Sequence, residues 1–189
     1  MIRLLSTAAL LALVSPGLAT PVLADDVTDT LNSAIAAYEQ GDIAYALEEI
    51  AFATQLLQQM KAGTLNTLLP EPLAGWSRTF DEGEGRALGM MGGTGSVAIY
   101  EKDGAQFRIQ VVADSPMIAA FSGIFGNAAM MASMGKIERV GREKFLNQDG
   151  ELTAVIGGRI MVQAMDGDVA TMIAHLETMD FRALAAFGS

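Results

Sequence analysis

Methionines are the residues of this chain whose type and spacing best suit chemistry. The sequence has 12 Met, one His and no Cys. Met90 and Met91 lie in a glycine-rich stretch, whereas Met130, Met131 and Met134 lie near the end of a predicted helix. Met130 and Met134 are four residues apart and therefore share a helical face. Thioether sulfur suits Cu(I), so one hypothesis is a Cu(I) site built from Met90, Met91, Met130 and Met134.

The same methionines allow two other interpretations, which are plain packing and an adaptable binding surface. We favour the binding surface, with two aromatic residues of the same helical region beneath the methionines. It would contact a protein partner or a small apolar ligand, and no cofactor is expected. The predicted contact residues are Met90, Met91, Phe121, Phe125, Met130, Met131 and Met134.

The single histidine, His175, is the residue that a catalytic triad would have to use. It lies in the last predicted helix between Ala174 and Leu176. The G-x-S-x-G pattern of a nucleophile elbow is absent from the sequence. We interpret His175 as a surface or helix-capping residue and predict no catalytic residue. A hydrolase or transferase that uses His175 is kept as an alternative, and it predicts a Ser and an acid beside the ring in a pocket.

The glycine-rich stretch from Gly83 to Gly95 is not a typical phosphate-binding loop. Such a loop follows a strand, precedes a helix and usually contains a Lys. Here a strand follows, and the stretch contains no Lys. The sequence therefore predicts a mobile hairpin loop that is able to cover a groove.

The first 24 residues have the pattern of an export signal. A short basic start at Met1-Ile2-Arg3 precedes an apolar run from Leu4 to Val14, and Val22-Leu23-Ala24 offers small residues to a signal peptidase. We predict cleavage after Ala24 and a periplasmic location. The net charge of −10 argues against nucleic acid as a partner. No apolar run after the signal is long enough to span a bilayer.

Residues 25–63 are predicted to form a helical hairpin. Apolar residues recur every three or four positions, Gly41 ends the first helix and Asp42 caps the second. Tyr38-Glu39-Gln40-Gly41-Asp42, followed by Ala46-Leu47, resembles the turn of a single tetratricopeptide repeat. Solenoids of this type need about three repeats. The hairpin is therefore expected to pack on the next domain or to mediate contact with itself, as in a homo-oligomer.

A change of pattern follows the hairpin. Residues 64–74 contain Pro70 and Pro72, which exclude a helix and a central strand there, so we predict a linker. Residues 75–189 then alternate as short strands around two helical regions in the order β-β-β-α-β-β-β-β-α. Asp103-Gly104 is a predicted hairpin turn. This order predicts an α+β domain with a mainly antiparallel sheet and helices packed on it.

The C-terminal part resembles the PsbP-like fold of small extracytoplasmic proteins over residues 70–189. The resemblance lies in Leu73-Ala74-Gly75-Trp76 before the first strand, the helix after the third strand, a four-stranded meander and a closing helix. It implies a non-enzymatic accessory or binding protein. The sequence as a whole thus predicts a non-enzymatic accessory or binding protein of the periplasm, with Cu(I) binding as the first alternative and a hydrolase or transferase that uses His175 as the second.

Overall fold

The computed structural model describes residues 22–90 and 92–188, so most of the predicted signal peptide, residues 1–21, lies outside the described residues. Within these ranges the chain forms seven helices and seven strands, and the predicted α+β class is confirmed. The helices are α1 (Val22–Glu39), α2 (Ile43–Asn66), α3 (Glu82–Met90), α4 (Pro116–Phe125), α5 (Ala128–Met134), α6 (Val169–Leu176) and α7 (Phe181–Ala185). The strands are β1 (Ser77–Phe80), β2 (Thr94–Lys102), β3 (Ala105–Ala113), β4 (Lys136–Val140), β5 (Glu143–Gln148), β6 (Glu151–Ile156) and β7 (Ile160–Met165).

The strands form one antiparallel sheet in the order β1-β2-β3-β7-β6-β5-β4. The predicted turn between β2 and β3 is confirmed, since Asp103 and Gly104 both have positive φ angles, of 49° and 84°. That backbone matches the twist of a two-residue hairpin. The C-terminal meander β4 to β7 joins the N-terminal strands through the β3–β7 pair.

Both faces of the sheet are covered. On one face Tyr100, Phe107 and Ile109 pack against the end of α2 and against α6 and α7, and these residues form the main core. On the other face, α3 lies over β2, while α4 and α5 lie over β6, β5 and β4. Buried Ile118 of α4 and Met131 of α5 anchor this second layer. The sheet therefore carries one layer of helices on each of its faces.

The helical hairpin packs through small residues. Ala34 and Ala37 of α1 and Ala46 and Ala53 of α2 are buried, and they allow the two helix backbones to approach closely. The side chain of Asp42 accepts a hydrogen bond from the Tyr45 N–H, as expected for a helix cap. Of the two helices of the hairpin, only α2 packs substantially on the sheet.

The second helix is longer than the sequence predicts and enters the core of the sheet domain. It runs through Asn66 rather than ending near residue 63. Leu65 and Leu69, which we placed in a linker, are buried in the main core. Regular structure is excluded only around Pro70 and Pro72. Leu65 and Leu69 precede these prolines and pack against the sheet. We call residues 67–76 the proline segment.

Side chains from the sheet and from α6 satisfy the backbone of the proline segment. Arg78 Nη1 donates to the Leu69 and Pro70 carbonyls at 3.0 and 2.7 Å. The Tyr100 hydroxyl donates to the Pro70 carbonyl at 2.6 Å. Burial raises the pKa of the Tyr100 phenol strongly, so it stays a donor. The Leu73 N–H donates to His175 Nε2 at 3.3 Å.

His175 is completely buried, so its interpretation as a surface or capping residue is wrong. Its Nε2 accepts from Leu73, and its Nδ1–H donates to the Thr171 carbonyl at 2.9 Å. The ring meets Trp76 and Phe107 at centroid distances of 5.2 and 4.8 Å. Because both nitrogens find backbone partners, the neutral ring is accommodated in an aromatic core. Burial lowers the pKa of His175.

The prediction of a mobile loop at Gly83–Gly95 is wrong for most of that stretch, because residues 82–90 form α3. Its glycines let α3 lie directly on β2. A Cβ added at Gly95 would meet the Gly85 carbonyl oxygen at 2.5 Å and the Leu88 Cβ at 2.6 Å. Glu84 also forms an ion pair with Arg108 of β3 at 3.1 Å. Tertiary contact thus outweighs the low helix propensity of glycine.

The close contact between α3 and β2 predicts that Gly95→Ala destabilises the protein. The new methyl group has only backbone and a Cβ to displace, so we expect a loss of about 1–3 kcal/mol in the free energy of unfolding. Gly123→Ala in α4 is the control, because nothing lies within 4 Å of its Cβ position, and it should be neutral or stabilise by up to about 1 kcal/mol. Urea denaturation measures both. Equal stability of Gly95→Ala and wild type would contradict the packing of α3.

The burial of His175 predicts a pH dependence with a defined sign. The folded protein favours the neutral ring, so the unfolded chain binds a proton first as the pH falls. The stability that neutral His175 provides is complete above its ordinary pKa of 6.5 and is lost progressively below it. Since the chain has one His, a tag-free sample gives one imidazole Cε1–H signal in a ¹H–¹³C spectrum. We expect its midpoint below 6.5, and a midpoint at or above 6.5 would contradict the burial.

Candidate functional site

The helices α4 and α5 form an apolar corner on the sheet. Residues 115–135 contain no Asp, Glu, Lys or Arg. Ser115 is the N-cap residue and Pro116 the first helical residue of α4, although the Ser115 side chain makes no capping hydrogen bond. The Asn127 side chain accepts from the N–H groups of Ala129 and Met130 and starts α5. The two helices are bent by 95° relative to each other.

Half of the large apolar side chains of this corner are exposed. Ile118 and Met131 are buried, and Phe125 is half-buried. Predicted contact residue Met131 therefore holds α5 on the sheet and is not available to a partner. We call the remaining set the Met/Phe surface; it consists of the exposed Met117, Phe121, Met130 and Met134 and the half-buried Phe125.

Basic residues lie beside the Met/Phe surface, although the chain as a whole is acidic. Arg139 of β4 lies directly opposite Lys144 of β5, on the sheet face that α5 covers. Arg142, in the turn between them, lies near Asp180 on the α7 side of the sheet. Among the residues that the structure describes, none of these three takes part in an ion pair. A charge-free apolar surface thus has cations at one border.

The structure does not bring all the predicted methionines together. Met90 ends α3 above β2, whereas Met130 and Met134 lie on α5 above β4 and β5. Four strand spacings of about 4.8 Å separate β2 from β5 in the sheet, which is roughly 19 Å. One metal ion cannot contact sulfur atoms so far apart. Met91 lies outside the described residues.

Met90, which is 84% exposed, borders a separate cleft between α2 and α3. The cleft has a volume of about 260 Å³. Polar groups line its walls, namely Gln55, Gln59, Asn66, Asp81, Glu82, Arg86 and Thr94. These groups can form hydrogen bonds to a small polar molecule. The sequence did not point to this cleft, because its walls meet only in the folded chain.

His175 does not lie in a catalytic arrangement. The hydrolase alternative needs a Ser and an acid beside the ring. The ring contacts backbone groups and aromatic side chains instead, as described above, and both its nitrogens are engaged. Over residues 22–90 and 92–188, no group of three or more His, Cys, Asp or Glu side chains is arranged to hold a metal ion.

A second apolar surface lies on the helical hairpin. Seven large side chains that the sequence suggested would pack are between 41% and 68% exposed. We call them the hairpin face. The alanine-rich side of each helix occupies the contact between α1 and α2 and leaves these residues outside. The hairpin face consists of Leu31, Ile35 and Tyr38 of α1 and Ile43, Leu47, Ile50 and Leu57 of α2.

No single described helix is long and apolar enough to cross a membrane. Helices α4 and α5 meet the length and composition requirements only when taken together, across their bend.

Comparisons with protein-family models, with curated proteins and with solved structures give no match to this chain. The resemblances to the PsbP-like fold and to a tetratricopeptide repeat therefore stay predictions from the sequence.

Proposed function

We propose that this protein is a non-enzymatic accessory protein of the periplasm that binds a protein partner through its Met/Phe surface. The location follows from the predicted export signal. The helical hairpin is the second contact element, with a partner or with another copy of the chain. An accessory role also agrees with the PsbP-like resemblance of the C-terminal part.

The observation that carries the proposal is the exposure of the Met/Phe surface within a charge-free segment. Met117 and Met130 are 56% and 46% exposed, and no charged residue interrupts residues 115–135. Clusters of exposed apolar side chains are typical of sites for protein or membrane contact. Methionine adapts its shape to different partners. A partner that covers this surface would remove apolar area from water and thereby gain binding free energy.

The neighbouring cations indicate the chemistry of the partner. Arg139 and Lys144 favour a partner surface with an apolar centre and an acidic border. The net charge of −10 repels a uniformly acidic molecule. A small apolar ligand suits the structure less well, because such ligands are mostly enclosed in pockets and these side chains stand on the outside of two helices.

Cu(I) binding is the second proposal, in a reduced form. Met130 and Met134 are four residues apart on α5 and both are exposed. Two thioethers on one helical face can bind one soft ion. Met90 is too distant to complete that site.

The Met/Phe surface predicts position-specific photo-crosslinking in an exporting host. A photoreactive amino acid at Met130 should give a discrete protein adduct, identified by mass spectrometry. The same probe at exposed Gln106, at the far end of the β2–β3 hairpin, should not give it. Adding Phe121→Asp and Met134→Asp should lower the yield at position 130 at least tenfold, because two apolar contacts become charged. Identical adducts from both positions would contradict the proposal, and phospholipid adducts would replace the protein partner by a lipid surface.

The copper alternative predicts tight Ag(I) binding by thioethers. Native mass spectrometry of the protein under anaerobic titration should show one bound Ag(I) per chain, and Met130→Leu/Met134→Leu should abolish it. Met90→Leu is the control and should change nothing, because Met90 lies over a different strand. A protein that binds no Ag(I), or that loses it through Met90→Leu alone, would exclude this site.

A further inference from the structure

The hairpin face has the spacing of a helix–helix contact in both of its helices. Positions 31, 35 and 38 of α1, and 43, 47, 50, 54 and 57 of α2, follow one another at intervals of three and four residues. This is the period at which apolar side chains of packed helices interdigitate. The exposed residue at position 54 is Thr, and the others are the large apolar residues of the hairpin face.

Helix geometry places both rows on the same side of the hairpin. In α1 each row residue follows a buried one, as Leu31 follows Thr30 and Ile35 follows Ala34. In α2, Leu47 follows buried Ala46 and Leu57 follows buried Leu56. One step along a helix is a rotation of 100°. Because the two helices are antiparallel, equal rotations away from their shared contact bring both rows to one side. The hairpin face is therefore continuous across both helices.

The hairpin face carries no charge, whereas the rest of the hairpin is acidic. The sequence has no Lys or Arg between residues 25 and 60. Asp26, Asp29 and Glu48 lie on the opposite side of their helices by the same rotation. The carboxylates that would attract a strongly cationic partner thus lie on the side of the hairpin opposite to the hairpin face. A charged partner face would lose its hydration against Leu, Ile and Tyr. The hairpin face is therefore best matched by an uncharged apolar face of the same shape.

We propose that the hairpin face binds the hairpin face of a second copy, so that two chains form a four-helix bundle with two-fold symmetry. An identical face has the same row spacing and the same lack of charge. In a two-fold arrangement each copy buries the same residues, and the association closes at two chains. The carboxylates remain on the outer sides of the bundle in water.

The size of the hairpin face fits a stable dimer. After the predicted cleavage α1 keeps residues 25–39, which correspond to about 22 Å at 1.5 Å per residue, and two adjacent helices are about 20 Å wide. The projected area is thus on the order of 500 Å², and accessible area is larger because side chains protrude. Stable interfaces bury about 800 Å² per partner. The face is of this order and is more apolar than a typical surface.

This inference rests on the contact role proposed for the hairpin and is independent of the Met/Phe surface. If the photo-crosslink at Met130 forms while the protein stays monomeric, only the dimer is wrong. If the protein is dimeric and the crosslink is absent, only the Met/Phe surface proposal fails.

Sedimentation velocity of the exported protein over about 1–100 µM tests the dimer. We expect the mass of two chains, and Leu47→Glu/Ile50→Glu should raise the dissociation constant at least 100-fold. The matched control is Tyr45→Glu/Phe52→Glu, in the same helix. Tyr45 and Phe52 are 46% and 52% exposed, close to Ile50 at 48%, but they point to the opposite side. The control adds the same charge and removes similar apolar area, and it should remain dimeric.

The absence of cysteine makes a second measurement simple. Ile50→Cys, near the middle of the hairpin face, should crosslink to a second copy with a short bis-maleimide, and Phe52→Cys should not. Unfolding curves in urea confirm that all variants are folded. A wild-type monomer at 100 µM, equal dissociation by both Glu pairs, or equal crosslinking at positions 50 and 52 would overturn the proposal.

Discussion

The attachment of the proline segment to the sheet is the constraint on which the rest of the structure depends. Arg78, Tyr100 and His175 satisfy backbone groups of residues that are neither helix nor strand. Buried backbone groups without partners cost free energy, so this segment enters the core only because these three side chains meet it there. Leu65, just before this segment, and Leu69, within it, are buried in the main core. The hairpin is thereby fixed to the sheet domain instead of being tethered by a flexible linker.

The fold leaves two separate apolar surfaces exposed, the hairpin face and the Met/Phe surface. The core uses the alanine side of the hairpin and one anchor residue from each of α4 and α5. The larger side chains of the same elements remain in water. A fold that buried them would need another layer of helices, which the described residues do not supply. We propose binding to other molecules as the reason for that arrangement.

The sequence predicted the parts of the fold that depend on local pattern. Alternation identified the strands, and Asp103-Gly104 identified the β2–β3 turn. The sequence-based prediction failed where contacts between distant residues determine the structure. A glycine-rich sequence alone predicts a loop, but Gly95 and Gly85 allow α3 to form against β2. A lone histidine could not be recognised as buried before its partners at Thr171 and Leu73 were known. Met90 and Met134 were grouped by residue type, and only the strand order separates them.

Methyl NMR of the protein labelled with ¹³C at the methionine Cε is the most direct test of whether the Met/Phe surface binds a partner. The spectrum is recorded in buffer and then in concentrated periplasmic extract of the producing organism. We predict that the signals of Met117, Met130 and Met134 shift or broaden in the extract, while those of exposed Met90 and buried Met172 stay unchanged. Exposure alone would affect Met90 most. Equal changes at Met90 and Met130, or no change at Met117, Met130 and Met134, would contradict a binding role for the Met/Phe surface.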